Sequence, residues 1–254
     1  MKKKIAVVTG ASSGMGREFA RRIAEREELD EIWLIARRKQ QLEELGAELP
    51  IAFRALSLDL TERESIETYA KLLQDEEVRV CVLVNASGVG RFGAFADIDL
   101  ETHDKMIDLN VKAYVDMTYA TLPYMEAGDE IYQLDSLSSF QPVPYIGVYA
   151  ATKAFILSFS RALGVELKSR GIRVLAVCPG WVKTEFFDYA VRDNTITYYN
   201  RFFTAEQVIR RALRDMKRGR DVSVCGPTIR AQVLLTKLLP HRLVMWIWCK
   251  QQKK

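Results

Sequence analysis

Tyr149 and Lys153 stand four residues apart in the run YAATK, shortly after three serines, Ser136, Ser138 and Ser139. Four residues within a helical run put both side chains on one face. A phenol there can donate a proton to an oxygen that gains negative charge as a carbonyl is reduced. Its unperturbed pKa of about 10 is too high for that work near neutrality. A neighbouring ammonium lowers it, so Lys153 is expected to depress the Tyr149 pKa through space. A serine hydroxyl placed at the substrate oxygen can donate a second hydrogen bond. The residue types alone leave open which of the three serines does so. Asn110, in DLNV, lies inside a helical run, where asparagine is disfavoured unless it has a task.

A second constellation opens the chain. The β-branched run IAVVT leads into TGASSGMG, which brings Gly10, Gly14 and Gly16 together with Ser12, Ser13 and Met15. Glycine there permits a tight turn and lets bare backbone approach a pyrophosphate, which the N-terminus of the following helix then faces. The spacing differs from the common G-x-G-x-x-G, but its place after a first strand points to a dinucleotide. The next strand ends in LIARRKQQL, where Ala36 stands where an NAD-specific protein usually carries an acid. Arg37 and Arg38 follow, and two guanidinium groups suit a 2′-phosphate. NADP is therefore expected over NAD.

The elements that must position these groups alternate regularly. Strand-like runs are expected at 5–9, 31–35, 51–60, 78–85, 130–136, 172–179 and 221–226. Helical patterns separate them, including one opened by Thr61 with Glu64 three residues on, one long run over 100–125 and another from 148 to Gly171. Such alternation implies an α/β fold: a Rossmann-type, doubly wound parallel sheet of about seven strands with helices on both faces. With no repeat or linker, 1–254 reads as a single domain with an extension at 228–254.

Composition excludes several classes. The net charge of +4 is partly terminal, and no helix carries a basic stripe interleaved with aromatics, so a nucleic-acid face is not expected. Two histidines and four scattered cysteines offer no metal site, and the cysteines read as reduced thiols. The start MKKKIAVVTG runs from charge straight into a strand, without the apolar core and cleavage site of a secretion signal, so a cytoplasmic home is expected.

TGASSGMG, LVNASGVG, DLNV, YAATK and CPGWVKT occur in the order and at the separations of the short-chain dehydrogenase/reductase family, which the chain resembles over most of its length. The resemblance implies hydride transfer between a nicotinamide and an alcohol or carbonyl. It places the catalytic serine thirteen positions before the tyrosine, which selects Ser136, and completes the set with Asn110, Tyr149 and Lys153. Asn110 is then expected to bind water at a helix irregularity and relay protons to Lys153. Gly10, Ser12, Ser13, Gly14, Met15 and Gly16 would line the pyrophosphate turn, with Arg37 and Arg38 on the 2′-phosphate. Asp59 and Leu60 would flank the adenine, and Asn85, Ala86 and Gly88 form the loop after the fourth strand. Tyr149 and Lys153 would hold the ribose side, and Pro179, Gly180, Val182 and Thr184 the nicotinamide end. The family commonly reads N-N-A-G where this chain reads N-A-S-G, so Ala86 lacks one side-chain hydrogen bond.

The resemblance also implies a substrate lid over 185–203, dense in aromatics, with Ser138, Trp181, Phe186 and Phe187 as substrate contacts. A bulky hydrophobic carbonyl or secondary alcohol follows, a bile-acid type hydroxysteroid being the leading example and a 3-oxoacyl thioester the alternative. A non-catalytic NADP-sensing protein is the alternative of another class. A homodimer or homotetramer is expected through helices around 101–126 and 149–169. The apolar tail is broken by Lys237, Pro240, His241 and Arg242, so it cannot span a membrane. LLPHRLV is similar to the tail of a soluble branch of the family, and packing on the protein is expected rather than contact with a membrane surface.

Overall fold

The structure is a computed structural model that describes residues 2–191 and 195–254. β1 (Lys3–Thr9) buries its last five side chains completely, as its unbroken apolar run requires. It leads through the glycine turn into α1 (Gly14–Ile23), whose Phe19, Ala20 and Ile23 face the sheet. β2 (Glu31–Ala36), α2 (Lys39–Ala47), β3 (Ala52–Ser57) and α3 (Arg63–Asp75) complete the first half. β4 (Val78–Asn85), α4 (Leu100–Ile107), α5 (Ala113–Thr121), β5 (Glu130–Leu134), α6 (Gly147–Glu166) and β6 (Arg173–Val177) form the second. Beyond them come β7 (Trp181–Val182), α7 (Phe186–Ala190), β8 (Phe202–Phe203), α8 (Ala205–Lys217), β9 (Val222–Ser223), α9 (Pro227–Leu238) and α10 (His241–Gln251).

The main sheet has seven parallel strands in the order β3-β2-β1-β4-β5-β6-β9. This is the doubly wound Rossmann-type arrangement expected. Alternate side chains of β1 enter two cores: Ala6 and Val8 meet α1 and α8, while Ile5 and Val7 meet α3 and α5. Each fully buried aliphatic contributes roughly 1.5–3 kcal/mol. Strand order reverses between β1 and β4, and a crevice opens there at the carboxyl ends. The register keeps those ends level: Val8 pairs with Val84, Asn85 with Gln133, and Leu134 with Val177. Four loops therefore leave the sheet along one edge.

Two local expectations are corrected. Thr61 caps no helix with its side chain; its amide and hydroxyl both donate to Asp59 Oδ1, and α3 begins two residues later without a side-chain cap. The short Asx turn satisfies the Thr61 donors before the helix starts. The long run over 100–125 is not one regular helix: α4 and α5 are joined by a π-helical turn at Asp108–Lys112, centred on Asn110. Gly171 ends the α6 region in the left-handed conformation, φ 71°. Among the described residues, no helix is long and apolar enough to cross a membrane, and no cluster of ligands suits a metal ion.

Candidate active site

The loops after β1 to β6, together with α6 and the tail helices, enclose a cavity of about 960 Å³. Ser136 follows β5 and Tyr149 sits in the first turn of α6, where Phe92 packs against it. The Ser136 hydroxyl is a hub. It accepts from the Ser138 amide at 3.2 Å and the Ser138 hydroxyl at 3.0 Å, and its influence on the Tyr149 phenol is to draw that pKa down. Ser139 instead donates to the Ser136 carbonyl. Of the three serines, Ser136 and Ser138 line the cavity with Tyr149, and Ser139 does not.

Lys153 Nζ donates to the Leu134 carbonyl at 2.8 Å and lies 5.9 Å from the centre of the Tyr149 ring. The Tyr149 pKa is raised, not lowered as expected: burial pushes it up, and the Ser136 bond pulls against that. Lys153 is itself held below the usual lysine range by burial, and the Asp135 charge pulls it back up. The fully buried Asp135 stands beside it, its carboxyl raised by burial and drawn back by the Lys153 charge. Its Oδ2 accepts from the Cys178 thiol at 3.5 Å.

Asn110 is completely buried, and its amide grips the loop after β4. Oδ1 accepts from the Val89 amide at 2.9 Å, and Nδ2 donates to the Val89 carbonyl at 2.8 Å and to Thr152 Oγ1 at 3.2 Å. Both side-chain amide atoms are therefore engaged by protein. Asn110 ties the β4 loop to the residue beside Lys153, and the π-helical turn carries it there.

The glycine turn is built for close backbone contact. A Cβ on Gly10, at φ 65°, would meet the Ala86 carbonyl at 2.7 Å, and one on Gly16 would meet the Gly10 carbonyl at 2.2 Å. The α1 N-cap, Ser13, makes no side-chain capping bond, so the first amides of α1 face the cavity without that partner. An open helix N-terminus with bare backbone around it fits a pyrophosphate. Thr9 Oγ1 fixes the opposite wall by accepting from the Ala86 and Ser87 amides at 2.9 and 3.1 Å. Arg38 donates to Ser12 Oγ at 3.1 Å and to Glu185 at 2.9 Å, while Arg37 lies 3.6 Å from Asp59. Leu60, Gly14, Met15, Gly88, Pro179, Gly180, Val182 and Thr184 also line the cavity. Asn85 does not: its amide is turned into the core and donates to Thr118 at 3.1 Å and Gln133 at 3.0 Å. Strand side chains alternate between the two faces of the sheet, and that of Asn85 falls on the face covered by α5, so only its backbone bears on the loop.

The roof is aromatic. Phe92 packs against Tyr149, Trp181 and Phe186 with ring centres 5.9–6.4 Å apart. Trp181 also meets Phe187 and Tyr199, and Phe187 meets Phe202. Of the segment 185–203, positions 192–194 lie outside the described residues. The tail closes one side: the Trp248 indole donates to the Pro144 carbonyl at 3.0 Å, and Gln252 Oε1 accepts from the amides of Thr197 and Tyr198. Phe92, Arg91 and Asp135 escaped the sequence reading. Phe92 and Arg91 sit in GRFGAF, directly after the family motif, and their position was the available signal. The Arg91 Nη1 atom is buried at the cavity wall without a hydrogen-bond partner.

The family model for short chain dehydrogenases matches residues 4–195. The chain belongs to that family, whose members are oxidoreductases. Sulfoacetaldehyde reductase 2 of Chromohalobacter salexigens is 37% identical over 191 residues, 72% of this chain and 74% of that protein. A solved short-chain dehydrogenase from Sphingobium yanoikuyae, in complex with NADPH, is 29% identical with a TM-score of 0.77 and 87% of each chain covered. A bulky-bulky ketone specific alcohol dehydrogenase from Comamonas testosteroni is 25% identical with a TM-score of 0.73, covering 88% of this chain and 86% of that one.

Proposed function

We propose that this family member is an NADP-dependent oxidoreductase that interconverts a bulky, largely apolar carbonyl and its secondary alcohol, with Tyr149 as the general acid and base. The observation that carries the reading is the Tyr149 ring packed against Phe92 and Phe186, with Trp181, Ser136 and Ser138 lining the same cavity. The glycine turn and Arg38 would hold the dinucleotide's pyrophosphate and 2′-phosphate, and the bound group supplies or accepts the hydride. Ser136 would hold the substrate oxygen, and Tyr149 would pass it the phenolic proton. Lys153 would stabilise the phenolate left behind, and Asn110 keeps the β4 loop and α6 in register beneath them. The NADPH complex of the Sphingobium relative supports the cofactor, as does the missing acid at Ala36.

The aromatic roof supports a large hydrophobic substrate, as does the bulky ketone specificity of the Comamonas neighbour. Arg91 adds a cation at the same cavity wall, its buried Nη1 without a hydrogen-bond partner among the described residues, which suits an acid group on that substrate. A hydroxysteroid of the bile-acid type, a carboxylate on a rigid apolar body, has both features. Segment 185–203 would serve as its lid. The exposed Tyr119, Phe155 and Val165 on α5 and α6 support a homodimer or homotetramer through those helices.

The test is a panel assayed with NADPH and NADH: bile-acid ketones and their neutral analogues, 3-oxoacyl thioesters and small ketones. Turnover of the acidic steroids with NADPH, reduced at least about tenfold for the neutral analogues, is expected. Turnover confined to thioesters or to small ketones would overturn the substrate reading.

A further inference from the structure

The last two helices leave apolar surface bare, and the charges they carry have one sign. α9 buries Ile229, Val233 and Thr236 against the body and exposes Leu234, Leu235 and Leu238, the last at 71%. α10 is seated by Val244 and the Trp248 indole, and it exposes Leu243, Trp246 and Ile247 at the i, i+3, i+4 spacing of one helix face. Leu235 and Ile247 also line the active-site cavity, so the two bare faces meet at its rim. Beyond Asp221 the chain carries no Asp or Glu, but it holds Arg230, Lys237, Arg242, Lys250, Lys253 and Lys254. Those six cations exceed the net charge of the whole protein, so the remainder is slightly acidic. The Lys250 ammonium lies 5.0 Å above the Trp246 ring, so the cationic fringe borders the apolar face directly.

We infer that α9 and α10 dock on an anionic lipid surface, with the cavity rim against the membrane. Large apolar side chains, tryptophan and a fringe of lysine and arginine are what a helix lying in the headgroup region requires. The rival occupant, a second copy of this chain, fits less well. A twofold contact centred on this patch would set it against itself, bringing two all-cationic tails together with no carboxylate in either to pair with them. Docking in this orientation would also let an apolar substrate dissolved in the lipid reach the cavity without crossing water. The docking does not depend on the substrate reading, since its measurement needs no turnover.

Vesicle flotation of the full chain tests it. Binding is expected to vesicles of phosphatidylcholine with phosphatidylglycerol, to be weak with phosphatidylcholine alone, and to fall as salt screens the charge. Trp246→Glu combined with Leu238→Glu should lower partitioning at least about tenfold. Neither side chain lines the cavity, and circular dichroism with dinucleotide binding checks that the variant folds. Lys253→Glu with Lys254→Glu should weaken binding to the anionic vesicles and leave the neutral ones unchanged. Absence of binding to anionic vesicles, or binding that the Trp246 and Leu238 pair does not alter, overturns the inference. So does a fall in oligomer mass by sedimentation for that pair in a protein that ignores vesicles, which would assign the face to a second copy.

Discussion

The cavity floor and its roof are held by different forces. On the floor, short directional bonds fix each group: Ser136 to Ser138, Asn110 to Val89 and Thr152, Lys153 to Leu134, Thr9 to the Ala86 and Ser87 amides. The roof is held by ring contacts among Phe92, Trp181, Phe187, Tyr199 and Phe202. Hydrogen bonds demand one residue type at one position, whereas apolar contact accepts many shapes. The floor can thus hold one chemistry while the roof selects what receives it. If this division is right, floor substitutions change rate and roof substitutions change substrate affinity.

The largest effect should come from Tyr149→Phe. The ring keeps its packing against Phe92 and Phe186 but loses its proton, and kcat should fall by about 10²- to 10⁴-fold. Dinucleotide binding, followed by fluorescence, should persist. The wild-type pH profile bears on the same group. Burial raises the Tyr149 pKa, so the phenol is protonated through neutral pH and above. Carbonyl reduction, which needs the proton, should hold across neutral pH and fail only in alkali; alcohol oxidation, which needs the phenolate, should climb as pH rises. The opposite slopes, or an unaffected Tyr149→Phe enzyme, would remove Tyr149 from the mechanism.

Next comes the cofactor wall. Arg38→Leu removes a charge-assisted partner of a 2′-phosphate, worth roughly 1.5–3 kcal/mol. The preference for NADPH over NADH, measured as a ratio of kcat/KM, should drop by about 10- to 100-fold. Activity with NADH should stay near its original value, which separates loss of recognition from loss of fold. An unchanged ratio would leave the 2′-phosphate to Arg37.

The sequence made the floor legible because its motifs encode backbone needs. Gly10 and Gly16 are required where a Cβ would strike a carbonyl, and the YAATK spacing follows from the helix repeat. Asn110 was legible as a residue with a task. Its bonds were not, because they run to Val89, twenty-one positions away, through a π-helical turn that no local pattern announces. Asp135 and Arg91 were unreadable for a related reason: a carboxyl or guanidinium acquires meaning from burial, and burial belongs to the fold. Asn85 was rightly placed at the end of a strand over 78–85, but only the fold shows its side chain turned to Thr118 and Gln133 rather than to the cavity. The roof was legible only in composition. Its aromatics meet across the 181–203 segment without helical or strand periodicity, so which rings touch could not be counted out beforehand.

Roof substitutions should have the next effect down. Trp181→Ala removes three ring contacts, to Phe92, Phe187 and Tyr199, each worth about 0.5–1.5 kcal/mol beyond area burial. KM for a bulky carbonyl should rise about tenfold, while a small carbonyl should show little change in kcat/KM. Equal losses on both would mean that the ring supports the floor, and the division between the two regions would fail at that point.

The smallest effect tests the contact where floor and roof meet. Glu185, at the start of the lid segment, pairs with Arg38 at 2.9 Å, on the guanidinium that a 2′-phosphate would need. Both side chains are about half exposed, so the pair is worth at most about 1 kcal/mol. A phosphate must compete with the carboxylate for Arg38, and Glu185 also brings a like charge close to it. Glu185→Gln keeps the shape and removes the charge. NADPH should then bind a few-fold more tightly by direct titration, NADH should be unaffected, and kcat should stay constant. Weaker NADPH binding would show instead that Glu185 holds Arg38 in its binding pose, and the lid would then form part of the cofactor site rather than of the substrate roof.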